Sequence, residues 1–193
     1  MTPAPPQKLK VTIPNGLTVL RILVTPLFVI LVIRELNHYA LFVFVLAGVS
    51  DGLDGFIARM FNQRSELGAV LDPIADKLLL TAAYVSLGVL KQVPAWVVVV
   101  VISRDVVITI GVAVLKFLDI PFDVRPSLVS KWTTVVQILT IVAVLLGPVY
   151  PGAERTLPIL FWTTLGMTVL SGLHYTYRGL GILQAGRGNP TKR

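Results

Sequence analysis

Cysteine is absent from this chain, which excludes disulfide frameworks, zinc–thiolate and iron–sulfur sites, and cysteine nucleophiles. Histidine is scarce. His38 and His174 stand far apart near expected helix ends, so a histidine-built metal site has no material. Charge is scarce too: charged residues occupy 14% of the 193 positions, against roughly 25% in an ordinary soluble domain. That shortage argues against a water-soluble enzyme and against a disordered chain. The remainder is strongly apolar, with 54% hydrophobic residues and a mean hydropathy of +0.79, gathered in long blocks such as 95–103 and 135–149. Such a composition belongs to an integral membrane protein.

Residues 1–13 are Pro-rich and polar, carry Lys8 and Lys10, and read as a short disordered cytoplasmic tail. The apolar stretch that follows contains Arg21 and lacks a small-residue cleavage site, so it reads as a span and not as a signal peptide. Six helical spans are expected, at about 16–34, 38–60, 70–90, 94–117, 128–148 and 156–180. Each can cross a hydrocarbon core that needs roughly 20 helical residues. The expected architecture is therefore all-α: one six-helix domain over 14–181, followed by a basic cytoplasmic tail over 182–193.

Lysine and arginine divide unevenly between the two ends of these spans. Eleven fall on the side of the termini, including Arg59, Arg64, Lys116, Arg125, Lys131 and Arg178; Arg34, Lys91 and Arg155 make three on the other. This asymmetry places both termini in the cytoplasm, in a multi-pass protein of the cell (inner) membrane. The net charge of +7 is thus read as topology, with no nucleic-acid partner. Arg21, Lys77 and Arg104 fall inside the spans and need another account.

Of ten acidic residues, four lie within 26 positions: Asp51, Asp54, Asp72 and Asp76. Each Asp at a bilayer centre costs on the order of 2.5–3.5 kcal/mol on insertion scales, so these four are expected to face a polar, cytoplasm-facing cavity. Asp51 and Asp54 stand at i, i+3 and Asp72 and Asp76 at i, i+4, so each pair shares a helix face. A short turn near 62–66 brings the two helices together antiparallel, and the four carboxylates converge. An all-oxygen donor set suits a hard divalent cation, Mg²⁺ or Mn²⁺. Four carboxylates suit two such ions, an arrangement that clamps a transferring phosphoryl group. Gly52, Gly55, Ala58 and Gly68 leave room for close approach, and the planar fork of Arg59 suits a phosphate.

The complete spacing runs Asp51-x2-Asp54-Gly55-x2-Ala58-Arg59-x8-Gly68-x3-Asp72-x3-Asp76. It resembles the signature of the CDP-alcohol phosphatidyltransferases at all eight defining positions, and the six-span pattern extends the resemblance over nearly the whole chain after residue 13. The resemblance implies a six-helix membrane enzyme, usually a homodimer, that moves a phosphatidyl group from a CDP-linked lipid such as CDP-diacylglycerol to an alcohol and releases CMP. It further implies that Asp51, Asp54 and Asp72 are metal ligands and that Asp76 deprotonates the acceptor hydroxyl while also touching a metal. Gly55, Ala58, Arg59 and Gly68 then form the CDP-lipid-binding part, with Arg59 near the diphosphate.

The signature does not choose an acceptor. Pro14-Asn15-x2-Thr18-x2-Arg21 resembles the opening of phosphatidylglycerophosphate and cardiolipin synthases, which adds Asn15 and Thr18 to the CDP-lipid-binding set. Asn15 also suits a helix N-cap, and Arg21 either turns into the cavity or snorkels to the interface. Arg104 is either neutralised by Asp105 alone or held by it to bind an acceptor phosphate. Arg104, Lys131, Arg125 and Arg21 are the candidate acceptor-binding residues. A basic pocket of this kind suits a phosphorylated acceptor and repels choline or ethanolamine. Glycerol-3-phosphate, giving phosphatidylglycerophosphate, is ranked first; phosphatidylglycerol, giving cardiolipin, is the alternative.

Two other classes compete. A membrane cation transporter also uses intramembrane Asp residues, but here they cluster at one end of two successive helices and polar residues are scarce in the outer half. A membrane prenyltransferase keeps its two Asp-rich motifs far apart, whereas only 18 positions separate Asp54 from Asp72.

Overall fold

The computed structural model describes residues 13–60, 66–117, 127–148, 150 and 152–187; within them, the side chains of 13–18, 51–60, 66–76, 116, 153, 180 and 183–187 lie outside the description. Among the described residues there are six α-helices, one short 3-10 helix and no strand. The helices are α1 (Ile13–Ile33), α2 (Asn37–Met60), α3 (Glu66–Val89), α4 (Ala95–Phe117), α5 (Leu128–Leu146) and α6 (Leu157–Arg187), with the 3-10 turn Ala153–Thr156 before α6. Each expected span falls on one of these helices. The largest displacement is at the end of α6, which continues to Arg187 through residues expected to form a tail.

Three stretches of described residues are long and apolar enough to cross a membrane: Ala95–Leu115, Leu128–Leu146 and Glu154–Gly179. Val19–Ile33, Asn37–Ser50 and Lys77–Val89 are shorter apolar stretches within α1, α2 and α3. Large apolar side chains are exposed along the helices, among them Leu23, Phe42, Val99, Ile110 and Leu173. Such an area exposed to water would drive association; facing lipid tails it is at no disadvantage. The chain is a membrane protein.

Two of the helix ends share one turn chemistry. After α1, the Leu36 N–H donates to the Leu31 carbonyl (2.9 Å) and the Glu35 N–H to that of Val32 (2.9 Å); after α3, the Gln92 N–H donates to Leu87 (2.9 Å) and that of Lys91 to Gly88 (3.0 Å). This six-to-one and five-to-two pattern closes a helix with a residue in the left-handed region, where glycine is usual. Here that residue is Glu35 (φ 57°) or Lys91 (φ 59°). The second turn brings α4 back so tightly that a Cβ on Gly88 would lie 2.8 Å from Val98 Cγ2. Pro94, directly before α4, supplies the carbonyl that accepts from Val97 (2.9 Å). At α5, Ser127 is the N-cap, its side chain accepting from the Ser130 N–H at 3.2 Å.

The chain divides within α3 into two compact units, Met1–Ala83 and Tyr84–Arg193. In the first, α1 and α2 pack through a seam of buried residues spaced three and four apart: Arg21, Thr25, Phe28 and Val32 on α1, and Asn37, Ala40, Phe44 and Ala47 on α2. That spacing keeps one stripe of each helix on its neighbour, and Phe28 meets Phe44 with ring centroids 5.6 Å apart. In the second unit α6 packs against both α4 and α5. The α4–α6 pair runs parallel, since Trp96 near one start stacks on Trp162 near the other at 5.2 Å. Exposed Trp132 and Tyr177 lie toward the other end of this unit, so amphipathic rings mark both ends of its spans as in an interfacial belt.

Candidate active site

The signature is divided between two successive helices. Asp51, Asp54, Gly55, Ala58 and Arg59 fall in the last ten residues of α2, and Gly68, Asp72 and Asp76 in the first eleven of α3. Helical backbone over both stretches gives each Asp pair the one-turn spacing that its sequence implies. The side chains of these residues, those of Asn15 and Thr18, the link 61–65 and Arg125 lie outside the described residues. Helix α1 begins at Ile13, so Asn15 stands inside the first turn and does not cap it.

Arg21 is buried, with 4% of its surface exposed, in line with Thr25, Phe28 and Val32 on the α1–α2 seam. It is therefore turned inward and does not snorkel. The hairpin register adds a further point. Seven residues back from Phe28 stands Arg21, and seven on from Phe44 stands Asp51. In an antiparallel pair these two positions share one level.

In the second unit the charged centre is Arg104. It is 9% exposed, near the middle of α4. Its Nη1 donates to Asp105 Oδ1 at 2.6 Å, and its Nη2 donates to Ser130 Oγ of α5 at 2.7 Å and to Ser171 Oγ of α6 at 2.9 Å. A guanidinium in a bilayer interior needs a counter-charge and satisfied donors, and here three helices share that task. Arg104 Nε is buried with no hydrogen-bond partner. Gly172, beside Ser171, packs against the Arg104 stem: a Cβ there would lie in ordinary contact, 3.7 Å from Arg104 Cγ. Lys131, one residue from Ser130, is exposed. The structure thus brings Ser130 to Arg104, while Lys131, about 100° further round α5, is exposed.

A ladder of polar contacts continues from this centre along α5 and α6. The Ser127 N–H donates to the Tyr175 hydroxyl (3.4 Å), Thr133 Oγ1 to the Met167 carbonyl (3.1 Å), Gln137 Nε2 to Thr168 Oγ1 (3.3 Å), and Thr140 and Thr164 hydroxyls meet at 2.8 Å. The buried Tyr84 hydroxyl donates to the Gln137 carbonyl at 3.1 Å. None of these ladder residues stands out by residue type alone; the sequence signal for the α6 half is the four-three-four spacing of Thr164, Thr168, Ser171 and Tyr175 through an apolar helix.

The sequence profile of the CDP-alcohol phosphatidyltransferase family matches residues 11–170, which take in the signature, Arg104, Ser130 and most of the spans. The chain belongs to this family. Among curated relatives, this CDP-alcohol phosphatidyltransferase is 37% identical over 190 residues to the cardiolipin synthase (CMP-forming) of Homo sapiens, an alignment covering 90% of this chain and 63% of that protein. It is 33% identical over 176 residues to a probable phosphatidylglycerophosphate synthase of Mycobacterium tuberculosis, covering 86% and 80%. It is 32% identical over 184 residues to the CDP-diacylglycerol–glycerol-3-phosphate 3-phosphatidyltransferase of Bacillus subtilis, covering 84% and 92%. The chain thus spans slightly less than two thirds of the human relative's length. The family takes CDP-linked donors and alcohol acceptors and is in general metal-dependent.

Proposed function

We propose that this protein transfers the phosphatidyl group of CDP-diacylglycerol to a phosphate-bearing polyol and releases CMP. The observation that carries the reading is the complete eight-position signature on two successive helices of a chain that belongs to the CDP-alcohol phosphatidyltransferases. The acceptor's hydroxyl oxygen attacks the phosphorus attached to diacylglycerol, the bond from that phosphorus to the CMP oxygen breaks, and the hydroxyl proton passes to Asp76. Arg59 binds the diphosphate with charge-assisted hydrogen bonds, and Gly55, Ala58 and Gly68 let the nucleotide approach the backbone, with Asn15 and Thr18 contributing from α1.

Four carboxylates without cysteine or histidine fit a hard divalent cation, so Asp51, Asp54 and Asp72, with Asp76 beside them, would hold Mg²⁺ or Mn²⁺, as one ion or two. When bound, such ions offset the negative charge of the diphosphate and of departing CMP. Arg104, Lys131, Arg125 and Arg21 are proposed to serve the acceptor phosphate. The arrangement proposed is six spans around a cytoplasm-facing cavity, in a homodimer of the inner membrane with both termini cytoplasmic. Its support is the eleven-to-three division of basic residues and the six apolar helices.

Two acceptors fit. Glycerol-3-phosphate is favoured by the relative from Bacillus subtilis, whose length this chain nearly spans. Phosphatidylglycerol is favoured by the higher identity to the relative named cardiolipin synthase. Purified protein is given CDP-diacylglycerol with each acceptor in turn, with Mg²⁺ or Mn²⁺ and then with a chelator, and the lipid product is identified by mass spectrometry. The expected result is metal-dependent CMP release with one acceptor. Absence of CMP release with both would overturn the reading.

A further inference from the structure

Arg104 was marked in the sequence by its charge, but the structure shows how its five donors are distributed. Nη2 spends both protons on serines, one from each neighbouring helix, and Nη1 spends one on Asp105. What remains is one Nη1 proton and the buried, unpartnered Nε–H. A buried donor of a charged group without a partner is costly and calls for an acceptor.

The serines add to this demand. Each accepts from Arg104, so each hydroxyl proton is left to be donated elsewhere. In membrane helices such a proton usually goes back to the carbonyl four residues earlier, as Thr176 does to Gly172 (2.9 Å) and Thr140 to Val136 (2.9 Å). For Ser171 that carbonyl is Met167, which already takes the Ser171 N–H of the helix and a share of the Thr133 proton at 3.1 Å. Around one guanidinium, therefore, Nε–H, Nη1–H and the Ser171 hydroxyl can still donate. An oxyanion accepts from all of them, whereas a cation or an apolar group satisfies none.

We propose that Ser130 and Ser171 are positioning residues for acceptor binding: they fix the Arg104 guanidinium from α5 and α6 so that its Nε edge is kept for a phosphate oxygen of the acceptor. This rests on the phosphatidyl-transfer reading above and deepens it by assigning the acceptor's phosphate a three-helix cradle. Two hydrogen bonds to one nitrogen, from two helices other than its own, fix the plane of the guanidinium in addition to its bond to Asp105. The oxyanion is the phosphomonoester of glycerol-3-phosphate or the phosphodiester of phosphatidylglycerol, and whichever acceptor the wild type uses serves in the test.

Ser130→Ala, Ser171→Ala and the double variant are compared with Ser130→Thr and Ser171→Thr, measuring acceptor KM, CDP-diacylglycerol KM, kcat and thermal unfolding in detergent. Expected is a rise of roughly tenfold in acceptor KM for each Ala variant, with donor KM unchanged and recovery in the Thr variants, which keep the hydroxyl. Wild-type acceptor KM in the double variant overturns the proposal while leaving phosphatidyl transfer standing. So does a parallel loss of donor affinity, kcat and thermal stability, which marks a clasp that only holds helices together. No CMP release by the wild type overturns both the transfer reading and the positioning role.

Discussion

An aspartate and an asparagine have nearly the same size, so exchanging one for the other at the signature removes charge and little else. Asp51→Asn, Asp54→Asn and Asp72→Asn are each expected to lower CMP release by at least about a hundredfold, since in the proposed site each would remove a charged ligand of the cation that stabilises the leaving group. Gel filtration in detergent should show an unchanged elution volume for all three. Full activity in any two would remove the metal assignment. Single residues also show where a sequence motif and its geometry part company. Lys131 and Arg104 are both basic and both stand near polar neighbours in sequence, yet one is exposed and the other is held by three helices. Arg21 was open to two placements, and its burial on the α1–α2 seam decides for the inward one.

At the scale of an element, the helical hairpins are closed by turns that break the usual residue preference. Glu35 and Lys91 occupy the left-handed position at φ 57° and 59°, where a side chain costs on the order of 1–2 kcal/mol. Lys91→Gly relieves that strain but raises the entropy of the unfolded chain, so the net gain in stability should be roughly 0.5–1 kcal/mol. Thermal unfolding in detergent should move upward with phosphatidyl transfer intact. A downward shift would show that the Lys91 side chain stabilises the turn by more than its backbone strain costs. No such gain is open at Gly88, where a Cβ would meet Val98 at 2.8 Å. The polar ladder between α5 and α6 is an element property too, since its residues recur every three or four positions and so keep one stripe of α5 on one stripe of α6.

For the whole molecule the decisive quantity is which end of each span faces the cytoplasm. In the orientation proposed from the basic residues, the link 61–65 is cytoplasmic and the α3–α4 turn faces the other side. The chain has no cysteine of its own, so Asn62→Cys and Gln92→Cys each introduce a single reactive thiol. A membrane-impermeant maleimide should label Asn62→Cys only from the cytoplasmic side and Gln92→Cys only from the opposite side. Reversed labelling overturns the orientation and moves the proposed active site to the other face; labelling of both from one side overturns the span count between them.

The sequence by itself determined that the chain is helical and membrane-bound, roughly where its six helices lie, and which eight residues carry the family signature. These are properties of consecutive residues: a span is a run of apolar side chains, and the signature is a fixed spacing within two such runs. Tertiary structure alone decided that Ser130 and Ser171 reach Arg104, that Tyr84 donates to the Gln137 carbonyl, and that Thr140 meets Thr164. Those partners stand 24 to 67 positions apart. Whether they meet depends on how far each helix is rotated about its own axis. That rotation is set by the packing of whole stripes of side chains, and a turn of one residue, about 100°, is enough to exchange Ser130 for Lys131.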